Sequence, residues 1–369
     1  MKFNFKIQQY QTDAVNAVVN VFSGQSYRKT SHYIRDLGTL EKPTVAQLSF
    51  DYENDPYDDI GFKNNALELS SEQLLENVHK IQRENNIKLS PELIKDLGRC
   101  SLDIEMETGT GKTYVYIKTM FELNKKYGWS KFIVVVPSIA IREGVYKTFE
   151  ITEDHFMEHY GKKARFFIYN SSNLNQLDNF SSDGGINVMI INTQAFASSL
   201  KEDGKSKEAR IIYSKRDEFG SRRPIDVIKA NRPIIILDEP QKMGGAVTQK
   251  ALKNFDPLFT LNYSATHAKH HNLVYVLDAL DAFNKKLVKK IEVKGFDIKN
   301  LKGTNSYLYL EQIVLSSKKP PMAKMEIEIK RKNNVKRELR ILSVGDDLFY
   351  ISQEMEQYKR CLLYTSPSP

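Results

Sequence analysis

LDIEMETGTGKTYVYIKTMFEL, Leu102 to Leu123, is the stretch on which the fold turns. A short apolar run leads into Thr108-Gly109-Thr110-Gly111. Lys112-Thr113 follows, and then a series of good helix residues. Strand, tight loop and helix in that order form an anion site, because successive backbone N–H groups and a helix N-terminus point partial positive charge at one spot. Glycine allows both the backbone turns and the close approach of a phosphate. In such a loop Lys112 reaches β- and γ-phosphates, and the Thr113 hydroxyl is a hard ligand for Mg²⁺. The residue six places before the lysine is Met106, where the full motif has glycine. A plain turn carrying a surface lysine is the competing reading, and the strand–loop–helix context weighs against it.

A phosphoryl-transfer site also needs carboxylate, to hold the metal and to orient water. PIIILDEPQ, Pro233 to Gln241, supplies it. An apolar run ends in Asp238-Glu239, and ligands of open α/β sheets bind beyond the carboxyl ends of the strands. Asp238 is expected to hold Mg²⁺ and Glu239 to polarise the attacking water. Alone, this pair would pass for a polar turn; beside the lysine loop it completes a site.

Outward from these two stretches the same texture repeats. Phe132–Val136, Ala164–Tyr169, Ile186–Asn192 and Leu258–Ser264 are short runs rich in β-branched or aromatic residues. Near-continuous apolar strands alternating with longer crossovers predict a parallel sheet covered on both faces. Val15, Val18, Val19 and Phe22 recur at helical spacing before Gly24. Leu74, Leu75, Val78 and Ile81 make the stripe of a second helix, capped by Ser70 or Ser71. Ser26 to Asn65 is polar and punctuated, and Asp203 to Arg223 is charged; both read as peripheral. After Val293 the pattern changes to period-two alternation around Asn333-Asn334, which predicts a hairpin. The expected architecture is α/β: a P-loop parallel sheet with helices on both faces, followed by a smaller β-rich module. Its expected divisions are a helix at 1–25, a polar and helical insertion at 26–100, the nucleotide-binding domain at 101–292, the β-rich module at 293–360, and a foreign or truncated tail at 361–369.

The 369 residues carry a formal net charge of +8, which favours an acidic polymer as partner. Two cysteines, Cys100 and Cys361, stand far apart in no metal-like spacing and suit a reducing cytoplasm. The first residues lack the apolar segment of a signal peptide. No window approaches the run of about 18 apolar residues that spans a bilayer.

Taken together, Tyr10-Gln11, METGTGKT, VVVPSIAIREGV, INTQAF, LDEPQ and NYSATH occur in the order of superfamily 2 helicase motifs Q, I, Ia, Ib, II and III. Their wording resembles the restriction subunit of type III restriction–modification enzymes, a family in which METGTGKT is familiar. The resemblance implies that the sheet is RecA-like, and it implies an ATP-dependent DNA translocase acting in the cytoplasm on double-stranded DNA, with ATP and Mg²⁺ as cofactors. A methyltransferase subunit would supply sequence recognition. It gives Gln11 the adenine edge and Thr108, Gly109, Thr110, Gly111, Lys112 and Thr113 the phosphates. Asp238 and Thr113 would hold the metal, with Glu239 catalytic and Gln241 near the γ-phosphate. Ser264, Ala265 and Thr266 would couple nucleotide state to movement. Pro137, Ser138, Arg142, Thr193 and Gln194 would line the strand-binding face, contacting sugar and phosphate rather than bases.

Such a family also carries a second RecA-like domain with an arginine aimed at the γ-phosphate, and a nuclease domain. Neither is found in this sequence, so this stretch alone is expected to bind nucleotide and hydrolyse it feebly. Three other patterns are set aside. His267, His270 and His271 have no cysteine nearby to suggest zinc. Asp281 with Glu292 and Lys294 imitates a nuclease spacing in a lysine-rich region, and the lysines of 285–303 suit a solvated amphipathic surface. A superfamily 2 helicase of another family, and a non-catalytic nucleic-acid-binding module with a vestigial ATP site, are the alternatives. DEPQ and the long stretch before the lysine loop speak against the first, and the intact Lys112, Thr113, Asp238 and Glu239 against the second.

Overall fold

The computed structural model describes residues 5–36, 60–197, 211–288, 307–315, 320–332 and 334–363. The chain divides into two compact units, 1–290 and 291–369.

In the first unit the apolar runs become strands of one sheet: Ser101–Met106 (β3), Lys131–Val136 (β4), Arg165–Ile168 (β5), Asn187–Asn192 (β6), Ile234–Asp238 (β7), Thr260–Ser264 (β8) and Asn272–Leu277 (β9). Their order is β5-β6-β4-β7-β8-β3-β9, and every pair is parallel. All carboxyl ends therefore share one edge. Burial explains the continuous hydrophobicity: Phe132, Val134 and Val136 pack into one core, and Ile133 and Val135 into another on the opposite face. A strand covered on both sides has no polar face to show.

The first core is closed by Gln9–Val21 (α1), Ser71–Glu84 (α2) and Lys112–Tyr127 (α3). Val15, Val18 and Phe22 are fully buried. Phe22, Trp129 and Phe259 interlock, with ring centroids 4.3–5.2 Å apart. Ser70, not Ser71, caps α2. It forms a reciprocal capping box with Gln73, and this satisfies two N–H groups that would otherwise lack acceptors.

Three stretches depart from the sequence reading. Asn272–Leu277, unassigned there, is the edge strand beside β3. The polar stretch 26–65 is not wholly peripheral: Ser31–Ile34 (β1) pairs with Ile60–Lys63 (β2), and buried Asn64 is a hub at the base of β4. Its Nδ2 donates to Lys131 O and Arg232 O at 2.9 and 3.0 Å, and its Oδ1 accepts from Ser130 N and Lys131 N. An amide side chain with two donors and two acceptor sites satisfies backbone groups where no further strand does. Within Asp203–Arg223, Ile211, Ile212 and Phe219 are buried in the second core, so apolar anchors hold this segment despite its charge. The remainders, 37–59 and 203–210, lie outside the described residues, as do Glu292, Lys294 and the lysines of 289–303.

The second unit is an antiparallel sheet of Leu308–Val314 (β10), Met322–Lys330 (β11) and Val335–Leu342 (β12), in that spatial order. Ile327, Ile329 and Leu342 pack on Leu348 and Tyr358. The Tyr358 hydroxyl accepts from Glu328 N and donates to Tyr307 O. The turn residue Asn333 lies outside the described residues, although Arg331 N donates to Asn334 O across that turn at 2.8 Å. Among the described residues no helix is long and apolar enough to cross a membrane.

Candidate functional site

β3 delivers the loop. After Met106 the chain turns through Gly109 and Gly111, both left-handed, at φ 85° and 89°. A methyl group on Gly111 would come within 2.6 Å of Gln11 Nε2, a side-chain tip that can move aside, so the left-handed backbone is what calls for glycine there. Thr110 closes the turn: its N and Oγ1 both donate to Glu107 O, at 3.3 and 2.6 Å. Two side chains from α1 buttress it from behind, Tyr10 Oη and Gln11 Nε2 donating to Thr110 O at 2.9 and 3.1 Å. Gln11, expected to read an adenine edge, thus directs its amide donor at the loop itself. Thr108 and Gly109 are exposed at the tip. α3 starts at Lys112 with Gly111 as its N-cap and no capping side chain, so the N–H groups of its first turn face the loop without an intrahelical acceptor.

β7 delivers the acids to the same edge, with only β8 between it and β3. Lys112 Nζ meets Glu239 Oε1 at 2.9 Å and Met106 O at 3.3 Å. Glu239 is left-handed at φ 61°, ψ 56°, a conformation that costs a side-chain-bearing residue about 1–3 kcal/mol and persists only when its surroundings over-determine it. Here they do: Glu239 N donates to Tyr263 O at 2.9 Å, Lys112 holds the carboxylate, and Gln241 Nε2 donates to its other oxygen. Burial pushes the Glu239 carboxyl up, but the Lys112 hydrogen bond and charge, with Gln241, outweigh it and leave the group below its ordinary value. Asp238 is buried, with the Tyr116 hydroxyl 3.4 Å from its Oδ2. Burial first, and then the neighbouring Glu239 charge, raise its pKa to about 6.

The β8 end adjoins this pair. Ser264 Oγ lies 2.8 Å from Gln241 Oε1 and 2.6 Å from Thr266 O, while Thr266 N donates to Ser264 Oγ at 3.1 Å. A hydroxyl has one proton, so it donates to one of those two acceptors at a time. Glu239, Gln241, Ser264 and Thr266 thereby form a continuous polar chain, with Ala265 half-buried in its turn.

Pro137, Ser138, Arg142, Thr193 and Gln194 sit together beyond the ends of β4 and β6, where Val136 pairs with Asn192. Thr193 Oγ1 is 3.5 Å from Pro137 O, and Arg142 Nη1 donates to Asn192 Oδ1 at 3.2 Å. Ser138 caps the helix Ile139–Tyr160 (α4), accepting from Ile141 N. Gln194 is exposed.

Sequence reasoning gave no role to Tyr116 or to a buried anchor beneath the β8–β9 connection. Asp103, in mid-strand, accepts from His271 N at 2.7 Å and Asn262 Nδ2 at 2.8 Å, and meets His271 Nδ1 at 2.8 Å. His271 Nε2 reaches Asp96 at 3.2 Å. The signal was present in LDIEM: a carboxylate inside an apolar strand must find a partner. Among the described residues no cluster of histidine, cysteine and acid is arranged to hold a metal ion.

The site fits a magnesium–triphosphate. An uncapped helix start and two left-handed glycines make the cradle, and Thr113 and Asp238 offer the hard oxygens Mg²⁺ prefers.

A family model described as type III restriction enzyme, res subunit, matches residues 4–269. The chain is 32% identical over 248 residues to the Res subunit of the Escherichia coli type III restriction–modification enzyme EcoP15I, covering 62% of this chain and 25% of that one. It is 32% identical over 251 residues to the EcoPI Res subunit of Escherichia phage P1, with the same coverage. It thus spans about a quarter of the length of these relatives. Among solved structures, the UvsW helicase from bacteriophage T4 matches at 12% identity and a TM-score of 0.29, over 55% of this chain and 62% of that one.

Proposed function

Because this chain belongs to the type III restriction enzyme Res-subunit family and carries its helicase-like domain, we propose that residues 5–288 are the ATP-binding half of a motor that translocates along double-stranded DNA. The observation that carries the reading is the 2.9 Å contact between Lys112 and Glu239. It joins the loop after β3 to the acid pair after β7, so one triphosphate can touch both.

Bound Mg²⁺ would supply charge neutralisation of the β- and γ-phosphates. The chain's own residues do the rest. Loop amides and the α3 N-terminus seat the phosphates, and incoming phosphate oxygens compete with Glu239 for Lys112. Glu239, released from that ion pair, accepts a hydrogen bond from the attacking water and aligns it with the γ-phosphorus. Water's oxygen forms the new bond as the β–γ bridging oxygen departs. Gln241 sits between Glu239 and Ser264, so a change at the acid reaches the β8 loop through two hydrogen bonds. Pro137, Ser138, Arg142, Thr193 and Gln194 form the adjoining DNA face, and a methyltransferase subunit is the partner that reads sequence.

Lys112→Ala tests the assignment. The variant should bind a fluorescent ATP analogue at least about tenfold more weakly, since it loses a charged hydrogen bond to phosphate. Unchanged binding would overturn the reading.

A further inference from the structure

Tyr116 lies one turn of α3 beyond Thr113 and is fully buried. Its ring stands edge-on to Tyr263, with centroids 5.5 Å apart and planes at 65°. Tyr263 is itself pinned, its hydroxyl 3.1 Å from Thr119 Oγ1 and its carbonyl accepting from Glu239 N. This packing holds the Tyr116 hydroxyl 3.4 Å from Asp238 Oδ2, and Thr113 lies one turn earlier on the same helix. Those two residues come from different elements, α3 and the end of β7, and are the pair suggested above to hold the cation.

A buried phenol needs a hydrogen-bond partner, and a core tyrosine bonded to whatever carboxylate lies near would satisfy that need. Two features go beyond it. Tyr116 shares the first turns of α3 with Thr113 and brings its hydroxyl to Asp238, so one side chain links the two elements that carry the candidate ligands of one ion. It approaches Asp238 on Oδ2, so a carboxylate held this way offers Oδ1 to a cation without first having to find its orientation.

We propose that Tyr116 is the positioning residue of the divalent-cation site, fixing Asp238 and Thr113 relative to each other from the dry side. The inference rests on the nucleotide-site reading and adds to it a third residue that never touches the metal.

The test is Tyr116→Phe in the full chain, which removes one oxygen and keeps the ring. Binding of a fluorescent ATP analogue is followed as Mg²⁺ is titrated, and separately in excess chelator. The Mg²⁺ concentration at half-effect should rise about 5- to 10-fold in the variant, the size expected for one lost hydrogen bond of ordinary strength. Nucleotide affinity in chelator and the thermal midpoint should stay near wild type. An unchanged Mg²⁺ midpoint, with or without a fall in thermal stability, would reduce Tyr116 to a packing residue and overturn the proposal. Wild-type binding with no Mg²⁺ dependence would instead sink the site reading and this inference with it.

Discussion

At the scale of single residues, Glu239 carries the most tension. It is a left-handed non-glycine residue whose carboxylate is bonded to Lys112 and Gln241. Glu239→Gln keeps the shape and removes the charge that occupies Lys112. Nucleotide should bind as tightly or several-fold more tightly, while single-turnover hydrolysis falls about 100-fold or more; a fluorescence titration and a phosphate-release assay read the two separately. Lys131 makes a different kind of test. It is fully buried in β4, its Nζ donating to Phe180 O and Asp183 O. Burial lowers its pKa from 10.5 to about 7. Between those two values the unfolded chain holds a proton that the folded chain does not, so stability rises with pH across that window. Unfolding free energy from denaturant titrations should climb from pH 7 to pH 9, by about 1.4 kcal/mol per pH unit at most. In Lys131→Met this slope should shrink, and an equal slope in both would count against the assignment.

At the scale of elements, the strands were legible because burial on both faces leaves an uninterrupted apolar signature, as in FIVVV and PIIIL. β9 was not, because NLVYVL follows β8 after a short histidine-rich connection with no helix in it, so the alternation of strand and crossover that marks the other strands is missing there. The loop residues were legible because glycine and lysine at fixed spacing have few other uses. Tyr116 was not, since TYVYIK reads as helix; only the strand order, which sets β7 one strand from β3, puts a hydroxyl beside Asp238. Asp103 shows the same limit: sequence shows that it needs a partner, and topology decides that the partner is His271. That pair anchors the connection carrying Ser264 and Thr266. His271→Ala removes one charged hydrogen bond while the backbone N of residue 271 and Asn262 Nδ2 still reach Asp103, and should cost about 2 kcal/mol by denaturant unfolding. Burial alone would lower the His271 pKa, but the Asp103 and Asp96 contacts outweigh it and raise the pKa. Its stabilising share is therefore fully present below the ordinary histidine value and fades as pH rises through the raised one. The stability gap between wild type and variant should narrow accordingly in alkaline buffer.

At the scale of the molecule, the net charge of +8 and the cluster beyond β4 and β6 make a prediction about DNA. Arg142→Ala should weaken double-stranded DNA binding by a similar factor whatever the sequence, and reduce the slope of log K against log salt by about 1. A loss confined to one sequence would mean that this face reads bases. The remaining feature with reach beyond its own neighbourhood is Ser264, whose single proton has two acceptors, Gln241 Oε1 and Thr266 O. Exchanging one acceptor for the other trades bonds of similar worth, so the two arrangements differ by only about 1 kcal/mol. Thermal agitation visits both. In the proposed motor, a toggle so finely poised would turn on a slight bias from a γ-phosphate, and resetting it would cost the cycle little of the nucleotide's free energy.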